Sequence, residues 1–139
     1  MQDIELIRRG GLTCPLEKKL TANMIGIDII EIKRIEEKSK KETFLNGIFT
    51  QNEIAYYHEK GKNPQTLAGM FCAKEAVAKA LGTGFSQFKP IHIEILHNEL
   101  GAPYAELYAA AKNLLGNKKL NLSISHTETI ATAIAILSQ

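Results

Sequence analysis

The feature that most constrains this fold is a long helical stretch, roughly residues 65 to 81, fenced by Pro64 before it and Gly82 after it. Its apolar residues Leu67, Met70, Phe71, Val77, Ala78 and Leu81 keep a broadly helical spacing, and Gly82 supplies the stop. A helix of this length needs a surface to pack on, and short strand-like runs surround it. Met24-Ile-Gly-Ile-Asp-Ile-Ile30 is β-branched, Ile91 to Ile95 and Leu120 to Ile124 alternate with period two, and Ile130 to Leu137 is a small, β-branched final run. Residues 31 to 43 read as a helix with Ile32 and Ile35 on one side. Thr50-Gln-Asn-Glu53 is a capping-box pattern that opens a short helix ending near Gly61. Asn98 to Pro103 is a turn, and Ala105 to Leu115 is rich in Ala and Leu, hence helical, with Gly116 as its end. The order strand, helices, strand, helix, two strands predicts an α+β fold with helices packed on a mainly antiparallel sheet.

At 139 residues the chain is one domain by length, and 45% apolar with 23% charged residues is enough to bury a core. A net charge of +2 announces neither a nucleic-acid nor a membrane partner, and the few aromatics give no base-stacking surface. Cys14 and Cys72 form no CxxC pair, too little for a disulfide framework or a structural zinc site, so both read as reduced thiols of a cytoplasmic protein. No apolar run approaches the ~18 residues of a membrane span, and the N-terminus lacks the apolar core of a secretory signal. Residues 1 to 23 are charged, with a short helical hint from Ile4 to Ile7. They read as an atypical, peripheral extension ahead of a domain from 24 to 139, and Met24 could itself be a start.

Three polar features sit awkwardly in this pattern. Asp28 interrupts the first strand, where a carboxylate loses water and needs compensation. It is either a helix cap or solvated edge-strand residue, or an oxygen ligand for a hard cation such as Mg²⁺. Glu75 and Lys79 are four apart, the favoured spacing of a surface ion pair. Yet Lys74 falls on the apolar stripe, and Gly82-Thr-Gly84 would let backbone approach a phosphate. Ser123-Ile-Ser-His-Thr127 ends a strand, and its His126 is either a hydrogen-bonded structural residue or a phosphate donor. His58, His92 and His97 read as exposed and carry no assignment.

Together and in this order, three segments resemble the holo-acyl-carrier-protein synthase family of phosphopantetheinyl transferases: Gly26-Ile-Asp-Ile-Ile-Glu-Ile-Lys-Arg-Ile35, Phe71-Cys-Ala-Lys-Glu-Ala-Val-Ala-Lys-Ala80 with Leu-Gly-Thr-Gly84, and Ser123-Ile-Ser-His126. Phe44, Thr50, Glu53 and the Asn98 to Pro103 turn fit the family's spacing. The resemblance runs from Met24 to the C-terminus. It implies the phosphopantetheinyl transferase fold and transfer of 4′-phosphopantetheine from coenzyme A to a serine of an acyl carrier protein, in support of fatty acid biosynthesis. Asp28 and Glu75 would hold Mg²⁺ at the coenzyme A pyrophosphate, and Glu75, or a metal-bound water it polarises, would take the serine proton. Lys79 would balance pyrophosphate charge, Gly82 and Gly84 would admit the nucleotide, and His126 and Pro103 would contact coenzyme A.

The same resemblance implies docking of an acidic carrier protein on the helix after the first motif. Arg34, Lys38 and Lys41 recur at i, i+4 and i+7 there, and only Arg34 matches a family position directly. Single-motif members resemble trimers with active sites between subunits, a neighbour supplying the turn around Gly101 and Pro103. Two departures stand out. Met70 and Gly47 occupy positions where relatives often carry arginine, which puts the usual 3′-phosphate and carrier contacts in doubt. Lys60 or Lys62 could compensate without arginine's bidentate fork. Competing readings of the same residues are a Mg²⁺-dependent coenzyme A or nucleotide phosphohydrolase, and a non-catalytic binding module for carrier protein.

Overall fold

The structure, a computed structural model, describes residues 25–139. The extension before them, its helical hint and the start at Met24 lie outside the described residues. Strand β1 (Ile25–Glu31) runs into helix α1 (Ile32–Ser39), followed by α2 (Glu42–Ile48), α3 (Gln51–Glu59) and the long α4 (Pro64–Ala80). A 3₁₀ turn at Pro90–His92 leads into β2 (Ile93–His97) and β3 (Pro103–Leu107), then α5 (Ala109–Leu115), β4 (Lys119–His126) and β5 (Ile130–Ser138). Two antiparallel sheets result: one in the order β1-β5-β4, the other a β2-β3 hairpin. The fold is α+β, as the alternation of periods predicts.

Helix α4 is the centre of the molecule. Asn63 caps it by accepting a hydrogen bond from Gln65 N at 2.9 Å, Pro64 occupies its first turn, and Gly82 ends it at φ +85°. Its buried residues are mostly small: Ala68, Gly69, Ala73, Ala76 and Ala80 face a sheet whose inner side offers Gly26, Ala131, Ala133 and Ala135. Small residues on both surfaces let the two backbones approach closely. At Gly26 the approach reaches its limit, because a Cβ there would overlap the Ala76 carbonyl and lie 2.6 Å from Ala80 N. Strand β1 is therefore inverted relative to an ordinary half-buried strand. Gly26, Asp28 and Ile30 turn inward, while Ile25, Ile27 and Ile29 are 60%, 60% and 67% exposed.

The capping box does more than start a helix. Thr50 and Glu53 exchange both hydrogen bonds at the start of α3, and Glu53 is fully buried. Its other oxygen, Oε1, accepts from Ile95 N at 2.8 Å, and Lys74 Nζ pairs with the capping oxygen, Oε2, at 2.8 Å while donating to the carbonyls of Pro90 and Ile93. Lys74 thus ties α4, α3 and β2 together from inside the core, which explains a lysine on the apolar stripe. Burial pushes the Glu53 carboxyl up and the Lys74 ammonium down, each opposed by the other's charge. Losing one partner would leave a buried charge uncompensated, at a cost of about 3–5 kcal/mol.

Three predicted boundaries move. The helix expected over 31 to 43 breaks at Lys40 and Lys41, where α1 ends and Lys41 turns extended (φ −94°, ψ 118°) so that α2 can deliver Phe49 to the core. Ile91 and His92 lie in the 3₁₀ turn that Pro90 opens, and the strand starts two residues later than the alternation suggests. Ala105 to Leu107 belong to β3, where Ala105 pairs with Ile95 and Leu107 with Ile93. Strand pairing overrides the helical preference of that segment.

Replacing Gly26 by alanine should destabilise the fold by about 3 kcal/mol or more, the upper range for overpacking, since backbone rather than a side-chain tip must yield. Urea unfolding measures this. A midpoint equal to that of the wild type would mean that β1 and α4 are not in backbone contact.

Candidate active site

The contact at Gly26 sets the geometry of the site. Asp28 lies two residues further along β1 on the same face, and Glu75 and Lys79 each precede an alanine that touches Gly26. All three side chains open into one cleft of about 270 Å³, whose walls include Arg34, Lys38 and Phe71. Asp28 is only 16% exposed. Lys79 Nζ, about half exposed, pairs with its Oδ1 at 3.1 Å and also donates to the Ile27 carbonyl at 3.0 Å. Lys79 therefore bridges to β1 and makes no ion pair with Glu75. The capping reading of Asp28 fails as well, because Glu31 holds the N-cap position of α1 without a side-chain bond.

Glu75 is half-buried and has no hydrogen-bond or ion-pair partner among the described residues. Its carboxyl is held above the usual range by burial first and by the Asp28 charge second, against the opposing pull of Lys79. Two carboxylates sharing a partly desolvated cleft supply oxygen ligands for a cation, beside the positive charges of Arg34, Lys38 and Lys79. No group of three or more His, Cys, Asp or Glu side chains able to hold a metal occurs among the described residues. The pair still fits Mg²⁺, which binds through one or two carboxylates and completes its shell with water and substrate phosphates.

The other sequence candidates divide by location. Lys38 keeps its ammonium 5.8 Å from the Phe44 ring centre at the cleft edge. Lys41 does not continue that face, since α1 has ended and Lys41 occupies the N-cap position of α2. Gly82 and Gly84 form the turn just beyond Lys79, both at positive φ, and line neither this cleft nor the next. His126 and Pro103 line a second cleft of about 250 Å³ together with Met70, Gly101, Tyr56 and His97. The two clefts share no residue. His97 is not the exposed turn residue its position suggests: it is half-buried and stacked on Tyr56, with ring centres 4.1 Å apart. A larger cleft of about 610 Å³ at the start of α4 carries Glu31, Glu36 and Glu128, a poor environment for a polyphosphate.

The fold and the sequence define a class. The sequence pattern of the 4′-phosphopantetheinyl transferase superfamily matches residues 24–135, and the chain belongs to that superfamily. Within it, the chain is 46% identical to the holo-[acyl-carrier-protein] synthase of Fusobacterium nucleatum, over 81% of this chain and 96% of that protein. Its fold is similar to the holo-[acyl-carrier-protein] synthase of Helicobacter pylori, solved in complex with coenzyme A, with a TM-score of 0.73 and 34% identity over 83% of this chain and 100% of that one. The Bacillus anthracis holo-(acyl-carrier-protein) synthase, in complex with CoA (3′,5′-ADP), aligns with a TM-score of 0.70 and 34% identity over 83% and 95% of the two chains.

A raised folded-state value means that ionising Glu75 costs stability. Its contribution is fully present below the unfolded value of 4.5 and is lost as pH rises through the folded value. In metal-free protein, Glu75→Gln should therefore be more stable than wild type at pH 7, with the difference vanishing near pH 4. Urea unfolding at the two pH values checks it.

Proposed function

We propose that this chain transfers the 4′-phosphopantetheine group of coenzyme A to a serine of an apo-acyl carrier protein, releasing adenosine 3′,5′-bisphosphate, in support of fatty acid biosynthesis in the cytoplasm. One observation carries the proposal: Asp28 and Glu75 converge in a cleft rimmed by Arg34, Lys38 and Lys79, in a chain whose named relatives are synthases of this kind. Mg²⁺ bound by Asp28 and Glu75 would act as a Lewis acid toward the pyrophosphate. The serine oxygen forms a new bond to the β-phosphorus, the bridging phosphorus–oxygen bond breaks, and the bisphosphate leaves with that oxygen. A serine hydroxyl is a weak nucleophile, and Glu75 would receive its proton, directly or through a water that it polarises. Lys79, paired with Asp28, would offset pyrophosphate charge, and the positive-φ turn of Gly82 and Gly84 just beyond it would let backbone approach the nucleotide, although it lines neither cleft of the single chain.

Arg34 and Lys38 on α1 provide a basic face for an acidic carrier protein next to the carboxylates, and Lys41 adds charge from the following loop. Such complementarity acts mainly on encounter, so activity should fall as salt rises. No helix among the described residues is long and apolar enough to cross a membrane.

A homotrimer completes this reading. Ile25, Ile27 and Ile29 of β1 lie beside Ile136, Ile134 and Thr132 of β5 on the uncovered face of the sheet, a contiguous apolar surface of the kind that marks an interface. The His126–Pro103 cleft is separate from the carboxylate cleft on one chain, and a neighbouring copy would bring one to the other.

Incubation with apo-carrier protein, coenzyme A and Mg²⁺, followed by mass spectrometry of the carrier, tests the activity. A phosphopantetheine mass shift that EDTA abolishes is expected, with Asp28→Asn and Glu75→Gln folded but slower by at least about a hundredfold. Phosphate or pantetheine phosphate released without carrier protein would instead indicate a phosphohydrolase. Ile27→Lys should yield a folded monomer in sedimentation experiments, and transfer should disappear with the assembly.

A further inference from the structure

The carboxylate cleft carries more positive than negative charge. Asp28 and Glu75 bring its two carboxylates, while Arg34, Lys38 and Lys79 bring three cations. A divalent cation entering alone would find ligand oxygens there, and also that positive surplus. The three cations are not equivalent. Arg34 and Lys38 make no ion pair among the described residues, whereas Lys79 Nζ lies 3.1 Å from Asp28 Oδ1.

The partner that Lys79 takes is informative. It stands four residues after Glu75, the spacing at which a helix pairs glutamate with lysine. It passes over that neighbour, reaches across to β1 and donates to Asp28 Oδ1 and to the Ile27 carbonyl. An ammonium thus sits on an oxygen that the carboxylate pair would offer to a metal. Two cations at one oxygen of a partly desolvated cleft repel each other, so both cannot hold it without further negative charge. Lys79 is able to yield. Its side chain is about half exposed, and an ion pair in contact with water is weak and readily given up. Lys74 on the same helix, enclosed with Glu53, has no such freedom.

We propose that Lys79 is a placeholder cation on Asp28, drawn away by the pyrophosphate of coenzyme A, so that substrate and divalent cation enter the cleft cooperatively. The proposal rests on the transferase reading and deepens it by coupling the two ligands of the site. Until the pyrophosphate arrives, Lys79 competes for Asp28 and the metal is held weakly. The pyrophosphate brings negative charge that offsets the divalent cation, and it offers Lys79 oxygens of its own. Lys79 exchanges one acceptor for another by turning its side chain, and Asp28 is released to serve as a ligand. The coupling is reciprocal: metal tightens coenzyme A by the factor by which coenzyme A tightens metal.

The test titrates the full chain with Mn²⁺ at constant ionic strength and measures free ion by electron paramagnetic resonance. Titrations run with and without coenzyme A, against a protein-free blank for Mn²⁺ that coenzyme A itself binds. Wild type should bind Mn²⁺ at least about tenfold more tightly when coenzyme A is present. Without coenzyme A, Lys79→Met should bind Mn²⁺ on the order of tenfold more tightly than wild type, and its gain from coenzyme A should shrink to match. Lys79→Arg, which keeps a cation within reach of Asp28, should stay near wild type. Lys38→Met removes a charge from the same cleft without touching Asp28 and should shift the affinity by about threefold or less. A Lys79→Met affinity equal to that of wild type, or raised no more than that of Lys38→Met, would overturn the placeholder and leave the carboxylate site standing. Undiminished Mn²⁺ binding in a folded Asp28→Asn, Glu75→Gln double variant would overturn the metal assignment of the transferase reading, and this proposal with it.

Discussion

Strand β1 and helix α4 meet backbone to backbone at Gly26, and the rest of the structure is arranged around that contact. No side chain larger than hydrogen fits between them. The strand must therefore turn Ile25, Ile27 and Ile29 outward and Gly26 and Asp28 inward. Two consequences follow from one constraint. Asp28 is carried into the cleft that Glu75 and Lys79 of α4 enter, and an exposed apolar face is left on the far side of the sheet. The carboxylate cleft and the exposed apolar face are two sides of the same strand.

Helix α4 needs a second anchor, because packing of alanines and glycines alone is non-directional. The buried Glu53–Lys74 pair provides it, with every Lys74 proton directed at an oxygen of Glu53, Pro90 or Ile93. Lys74 and Glu75 are adjacent in sequence, and helical geometry sends their side chains about 100° apart. One enters the core and sets the rotation of the helix. The other enters the cleft. Lys74 is thereby committed to structure and is not free to serve as a proton acceptor. Removing a buried pair member would disturb the site indirectly, by releasing the helix that presents Glu75.

Much of this was legible in the sequence because local signals and tertiary structure agree. The capping box at Thr50 and Glu53, the Pro64 and Gly82 boundaries of α4 and the two final strands all follow from residue patterns. Asp28 stood out because it breaks an apolar run, whereas its pairing with Glu75 was implied only by the family resemblance. What failed did so where distant contacts decide. Ala105 to Leu107 have helical composition and become a strand by pairing with β2, and no glycine or proline marks the break between α1 and α2. Lys41 fell off the expected basic face for the same reason. His97 was passed over because a turn histidine carries no signal of its own, and its stacking on Tyr56, 41 positions earlier, depends on the folded chain (97 − 56).

The central claim is that Asp28 and Glu75 act as one cation site. Mn²⁺, which takes the same oxygen ligands as Mg²⁺, broadens nearby carboxylate signals in carbon-13 NMR. Substoichiometric Mn²⁺ should broaden the Asp28 and Glu75 resonances in parallel while the buried Glu53 stays sharp. Broadening of one without the other, or strongest broadening at the Glu31, Glu36 and Glu128 cluster, would contradict the account.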